Sequence, residues 1–309
     1  GWSRAVGTGI ASRKSRYILF TSLLIVVTGG AGQLGQELQV ASRDTSFSHR
    51  FLFTDRGQLD LSKPELLANF FVTHRPAYFI HGGAYTAVDK AEQEKDLALL
   101  INATATGEIA RLCKEYDTRL IYVSTDYVFN GQGTAPYAVD AATSPVNHYG
   151  YTKWMGEELI RKSEAFAVII RTSWVFSSYG HNFVKTMLRL MSERPEIKVV
   201  NDQRGCPTYA ADLAAAILQI VQEWESGNTH TGTYHFSNQG DITWYEFACA
   251  IRDVAGLVCD IKPIPSSDFP TPAKRPSYSV LDTNKISADF GVQPRNWKDA
   301  LQACWRIIQ

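Results

Sequence analysis

The short apolar run Leu23-Leu24-Ile25-Val26-Val27-Thr28 leads without a break into Gly29-Gly30-Ala31-Gly32-Gln33-Leu34-Gly35. Six β-branched or apolar residues in a row suit a strand buried on both faces, and an amphipathic helix is expected over Gln33 to Ala41. A strand, a glycine turn and a helix in that order form a ready-made diphosphate cradle. Backbone N–H groups at the helix start face the anion, and side chains at the glycine positions would block its approach. Gly29, Gly32 and Gly35 are therefore candidate cofactor contacts, with a merely tight turn as the plainer alternative.

The rest of the chain repeats the strand-and-helix rhythm. Strands are predicted at Phe51 to Asp55, Tyr78 to His81, Leu120 to Ser124 and Ala167 to Thr172. Helices are predicted from Ser62 to Thr73, with Ser62 as N-cap and Glu65 at the capping-box position, from about Lys90 to Tyr116, and from Tyr149 to Ser163. Such alternation implies right-handed crossovers and an α/β fold with a doubly wound parallel sheet of the Rossmann type. After about residue 175 the rhythm loosens. Helices are expected at Asn182 to Ser192, Ala210 to Trp224, Trp244 to Val254 and Trp297 to Ile308, with brief strands at Lys198 to Val200 and Thr233 to Phe236. The organisation expected is a dinucleotide-binding domain over 23–175, continuing through about 205–237, and a smaller C-terminal substrate-binding lobe from 176–204 and 238–309.

Balanced charge, with Lys plus Arg and Asp plus Glu at 31 each, offers no basic footprint for nucleic acid. Cys113, Cys206, Cys249, Cys259 and Cys304 are scattered, with no zinc-like spacing, so no metal ligand is assigned and reduced thiols are expected. Arg4, Arg13, Lys14 and Arg16 precede the apolar stretch Tyr17 to Val27 and mimic a secretory signal. Cleavage after that stretch would remove the strand on which the glycine loop depends. Residues 1–22 are instead read as a flexible basic extension. No run approaches the roughly 18 apolar residues of a membrane span, so a cytoplasmic protein without membrane partner is expected.

Three further features carry chemistry. Asp55 lies about twenty residues past the glycine loop, where a carboxylate can accept hydrogen bonds from a ribose; Arg56 follows, so NADH and NADPH both fit. An acid in a simple turn is the alternative for Asp55. Tyr149 and Lys153 stand at i and i+4 on one helix face. There the ammonium would favour phenolate and draw the phenol toward a working general acid, although such pairs also occur in ordinary helices. Tyr151 has Met155 as its i+4 partner and no such help. Ser124-Thr125-Asp126-Tyr127-Val128-Phe129 sits at a strand end, where the Thr125 hydroxyl could hold a substrate carbonyl or simply cap a loop.

Taken in order, the glycine loop, the strand-end hydroxyl and Tyr-x-x-x-Lys resemble the extended short-chain dehydrogenase/reductase superfamily. The finer resemblance is to the dTDP-4-dehydrorhamnose reductase family. It is carried by Tyr85-Thr86-Ala87-Val88-Asp89-Lys90-Ala91-Glu92, Arg171-Thr172-Ser173-Trp174-Val175, Asn182 to Met187, Asp202 to Thr208 and Thr271-Pro272-Ala273-Lys274-Arg275-Pro276. What the resemblance implies is hydride transfer from NADPH or NADH to the C4 ketone of a dTDP-linked deoxysugar. Thr125, Tyr149 and Lys153 match the catalytic positions. Gln33, Leu34, Asp55, Asp60, Leu61, Ala84, Tyr85 and Thr86 match cofactor positions, and Thr125, Asp126 and Trp174 match sugar-nucleotide contacts. By its residue type alone, Trp174 would read as a core aromatic. A homodimer and a Mg2+ requirement come with the resemblance only. Alternatives are a reductase or epimerase for another nucleotide-sugar, or a non-catalytic regulatory subunit like the β subunit of methionine adenosyltransferase. One departure is His81-Gly82-Gly83-Ala84 in place of the more usual Asn-Ala-Ala-Ala. Its glycines are expected to loosen a loop near the nicotinamide, and His81 is expected to be a satisfied polar residue.

Overall fold

A computed structural model describes residues 22–44 and 49–309. The extension expected over 1–22 lies outside the described residues, except for its last residue. Among the described residues, six parallel strands form the central sheet: β1 (Leu24–Thr28), β2 (Arg50–Thr54), β3 (Tyr78–His81), β4 (Arg119–Thr125), β5 (Ala167–Thr172) and β6 (Gly232–His235). Their spatial order is β2-β1-β3-β4-β5-β6. The order reverses between β1 and β3, which pair Thr28 with His81 at their carboxyl ends. A crevice opens at such a reversal, because the chain leaves the two strands toward opposite faces.

Alternation along the strands fills two cores. Val27, Ile80, Ile121 and Ile170 point to one face and pack on the helix Ala210–Glu225 through Leu213, Ile217 and Val221. Val26, Phe79, Leu120 and Ile169 point to the other and meet Ile109 and Leu112 of the helix Ala105–Glu115. Each such buried aliphatic contributes roughly 1.5–3 kcal/mol relative to exposure. A third core gathers Phe176, Met187, Ile197, Phe247, Ile261, Trp297 and Leu301 beyond the strand ends. It carries the parallel pair Glu196–Val200 and Asp260–Ile264. The tail does not go wholly to this third core: Ile286, Phe290 and Val292 pack back on the sheet's first core.

Two helix expectations are corrected. Ser62 is not an N-cap; its N–H and hydroxyl both donate to the Asp60 carboxylate, at 3.0 and 2.7 Å. That local turn leaves a 3-10 turn at Pro64–Leu66, and the helix proper spans Leu67–His74. The long helix expected over 90–116 is broken into Val88–Ala91, Lys95–Leu99, a π turn at Leu100–Thr104, and Ala105–Glu115. The π turn delivers Asn102 to the neighbouring loop. Its Oδ1 accepts the Tyr85 N–H at 2.8 Å and its Nδ2 donates to the Tyr85 carbonyl at 3.0 Å. Helical periodicity is blind to a break made by such a distant partner.

Candidate active site

The carboxyl ends of β1, β3, β4 and β5 open into a cleft of about 740 Å³ that reaches to the third core. At its β1 end, Gly29 adopts φ +75°, a conformation glycine takes without steric cost. A Cβ on Gly35 would lie 2.3 Å from the Gly29 carbonyl oxygen, so only glycine lets the helix Gln33–Ala41 begin this close to the strand. The helix N-cap is Gly32, which has no capping side chain, and leading N–H groups are left for a ligand. These features fit a dinucleotide diphosphate.

The loop after β3 is fastened rather than loose, contrary to the expectation for Gly82 and Gly83. The Gly83 N–H donates to Thr28 Oγ1 at 3.0 Å, and a Cβ on Gly29 would come within 2.9 Å of Gly83 Cα. Thr28 Oγ1 lies 2.7 Å from His81 Nδ1, and His81 Nε2 lies 3.0 Å from Thr106 Oγ1. Thr106 in turn donates to the Asn102 carbonyl, so the chain of donors closes when the ring carries its proton on Nε2. Burial, aided by the Lys153 charge, holds the His81 pKa down to about 3, so the ring is a neutral structural link.

At the β4 end the Thr125 hydroxyl accepts the Tyr127 N–H and donates to Asp126 Oδ1, both at 3.1 Å. Asp126 is buried, and burial pushes its carboxyl up to about 7 against the pull of the Ser279 and Thr125 hydroxyls. Tyr149 enters from the helix His148–Ser163, whose N-cap Asn147 accepts the Gly150 N–H at 2.8 Å. The Tyr149 phenol is raised above its ordinary value, first by burial and then by the Asp126 charge, while the Thr125 hydroxyl opposes the rise. Lys153 does not counter it here as expected from the i, i+4 spacing. Its ammonium turns to β4, donating to the Val123 carbonyl at 2.8 Å and lying 4.2 Å from the centroid of the Tyr122 ring. Burial draws Lys153 down to about 7, with Glu157 opposing. Helix spacing brings the two side chains to one face; the buried carbonyl decides where the ammonium points.

The cleft brings together Gly29, Gly32, Gln33, Leu34, Gly35, Ala84, Thr86, Thr125, Asp126, Tyr149, Lys153 and Trp174. Asp55, Asp60, Leu61 and Tyr85 do not line it. The Asp55 carboxylate accepts the N–H groups of Gly57 and Gln58 at 2.8 and 3.1 Å, the arrangement of a turn acid, at the exposed end of β2. Asp60 is occupied by Ser62, whose hydrogen bonds lower its pKa, and Leu61 packs beneath Gly83. The Tyr85 hydroxyl bonds to Glu94, away from the cleft.

Trp244 also lines the cleft, and sequence reasoning passed over it. Its signal was present: Thr243-Trp244-Tyr245-Glu246 is a capping box that starts a helix at Trp244, with Glu246 N–H to Thr243 Oγ1 at 3.2 Å and Thr243 N–H to Glu246 at 2.7 Å. Among the described residues no cluster of His, Cys, Asp or Glu could hold a metal ion, and no helix is long and apolar enough to cross a membrane.

Fold and site together define an oxidoreductase of the extended short-chain dehydrogenase/reductase type, with a dinucleotide crevice at the strand-order reversal and a Thr-Tyr-Lys set beside it. The model of the RmlD substrate binding domain matches residues 23–309, and the chain belongs to the dTDP-4-dehydrorhamnose reductase family. A dTDP-4-dehydrorhamnose reductase of Aggregatibacter actinomycetemcomitans is 38% identical over 285 residues, covering 90% of this chain and 97% of that protein. The crystal structure of a dTDP-4-dehydrorhamnose reductase from Clostridium acetobutylicum superposes with TM-score 0.88 at 35% identity, over 93% of this chain and 100% of that one. That of the Bacillus anthracis reductase, in complex with NADP, gives TM-score 0.87 at 36% identity, over 93% and 99%.

Proposed function

We propose that this protein reduces the C4 ketone of dTDP-4-dehydro-L-rhamnose to give dTDP-L-rhamnose, with NADPH or NADH as reductant. The observation that carries this function is the convergence of Thr125, Tyr149 and Lys153 on one cleft with the Gly29–Gly35 loop at one end and Trp174 at the other. A reduced dinucleotide, held by its diphosphate on that loop, would supply the hydride from its nicotinamide. The chain's own residues do the rest. Thr125 and Tyr149 hold the ketone oxygen, and the Tyr149 phenol hands it a proton as negative charge develops. Lys153, one helical turn past Tyr149 in the same cleft, would stabilise the phenolate left behind and hold a ribose hydroxyl of the dinucleotide. Asp126 and Trp174 bound the sugar. Proton donation of this kind is typically worth about 10²–10⁴ in rate.

The NADP complex of the Bacillus anthracis relative supports the cofactor assignment, and the names of the relatives support the sugar. A dinucleotide-binding domain over 23–175 continuing through about 205–237, a substrate lobe of 176–204 and 238–309 whose Ile286, Phe290 and Val292 return to the sheet, a cytoplasmic location and a homodimer belong to the same proposal. The purified protein is mixed with dTDP-4-dehydro-L-rhamnose, and NADPH and NADH absorbance are followed separately. Consumption of reductant with formation of dTDP-L-rhamnose is expected. No consumption with either reductant overturns the proposal.

A further inference from the structure

One turn past Lys153 and two past Tyr149, the same helix carries Glu157, fully buried. Its Oε1 accepts the Ser124 hydroxyl at 2.6 Å and Arg171 Nε at 2.9 Å. Its Oε2 accepts Arg171 Nη2 at 2.7 Å and Arg161 Nη2 at 2.8 Å. Ser124 and Arg171 face each other in register across β4 and β5. Ser124 immediately precedes Thr125, and Arg171 begins the segment that runs through Thr172 and Ser173 to Trp174. One carboxylate thus joins the strand end that presents Thr125, the strand end that leads to Trp174, and the helix that presents Tyr149 and Lys153.

We propose that Glu157 is a positioning residue for the reduction, its buried carboxylate locking the ends of β4 and β5 against the helix that carries Tyr149 and Lys153. The inference rests on the reductase function proposed above. Burying an ion pair is a poor route to stability, since well-packed apolar residues of similar volume often serve as well or better. Charge-assisted, bidentate bonds instead bring geometric definition, and hydride transfer is sensitive to displacements of about 1 Å.

A second consequence is electrostatic. Lys153 faces the Val123 carbonyl and the Tyr122 ring on β4, the neutral His81 on β3 and Glu157 on its own helix, while Tyr149 lies one turn back along that helix. Asp126, at the end of β4, acts on Tyr149. Glu157 favours the protonated form of Lys153, whereas its partners Arg171 and Arg161 are cations. Removing the carboxylate charge leaves those cations uncompensated and makes Lys153 easier to deprotonate.

The test uses the full chain with NADPH and dTDP-4-dehydro-L-rhamnose, comparing E157D, E157Q and the charge-balanced E157Q/R171M. E157Q is expected to lower kcat by about 10- to 100-fold, the scale of an ångström-sized misplacement, with little change in KM for NADPH. The alkaline limb of its kcat/KM profile should move to lower pH, and E157D should return the limb to the wild-type position. E157Q/R171M removes both charges together, and where E157Q fails to fold it should show the lowered kcat with a smaller displacement of the limb, since only Arg161 is then left uncompensated. A wild-type profile and kcat per folded molecule in E157Q or in the double variant would overturn the inference. So would failure of both to fold while E157D matches wild type throughout, since the carboxylate would then serve structure alone. If the wild-type protein oxidises no reductant with any nucleotide-sugar ketone, the proposed function itself fails, and that is seen before any variant is made.

Discussion

The indole rings of Trp174 and Trp244 lie face to face, with centroids 3.6 Å apart and planes 11° from parallel. Trp174 holds this position with φ +49°, a conformation that costs a non-glycine residue of order 1–3 kcal/mol and persists only where its surroundings enforce it. Both rings line the cleft at its junction with the third core. In the function proposed above, this pair would bound the sugar with apolar surface.

Trp244→Ala should therefore raise KM for the sugar nucleotide by about two- to tenfold, the scale of a lost aromatic pair worth ~0.5–1.5 kcal/mol, while KM for NADPH stays unchanged. Trp244→Phe should retain most of the wild-type value. Steady-state kinetics with each substrate varied in turn checks this, and an unchanged sugar KM in Trp244→Ala counts against that role.

Tyr149→Phe keeps the ring and its edge-to-face contact with Tyr127, at 5.9 Å between centroids, and removes only the hydroxyl. Turnover should fall by about 10²–10⁴ while NADPH still binds, because the proton donor is lost and the cofactor cradle is not. Fluorescence titration with NADPH beside single-turnover assays separates the two effects. An unchanged kcat rules out Tyr149 as the acid.

Asp126 offers a pH signature in stability. Its carboxyl rises from 3.8 in the unfolded chain to about 7 in the folded one, chiefly by burial. The folded state therefore prefers the protonated form. The stability this group contributes is fully present below pH 3.8 and is lost as pH rises through about 7. Asp126→Asn, neutral at every pH, should melt above wild type at pH 8, with the gap closing as the solution is acidified toward pH 4. Calorimetry across that range checks it. A gap independent of pH would show that Asp126 does not titrate in this window.

Arg56 stands exposed beside Asp55, with its Nε 3.8 Å from the Asp60 carboxylate. In the function proposed above, its exposed guanidinium is the group at the end of β2 available to a 2′-phosphate, since the Asp55 carboxylate is already engaged by Gly57 and Gln58. Arg56→Ala is expected to raise KM for NADPH by about tenfold, the scale of one lost charge-assisted hydrogen bond, and to leave KM for NADH unaltered. Equal effects on both would remove Arg56 from cofactor discrimination.

Much of the fold was legible because its signals are local. The apolar run before Gly29, the short apolar strands and the closing helix Trp297–Ile308 can be read residue by residue, since each rests on its own hydrophobic pattern. Thr125, Tyr149 and Lys153 could be named because strand ends and i, i+4 faces are predictable from neighbours in the chain. Ser62 misled because Asp60, two residues away, competes for the same hydroxyl. The break at Leu100–Thr104 escaped notice because its cause, the bracket from Asn102 to Tyr85, spans the interval between a loop and a helix.

What the chain alone settled was the identity and order of the chemical groups: a glycine loop behind a buried strand, a strand-end threonine, and a tyrosine and lysine one helical turn apart. Where those groups point was set by folding. The Lys153 ammonium rests on Val123 and Tyr122, Asp126 is stripped of water until its carboxyl titrates near neutrality, and Trp174 finds Trp244 from a helix far along the chain. Direction, desolvation and long-range partnership depend on which distant atoms share a space, and spacing along a polymer does not encode them locally.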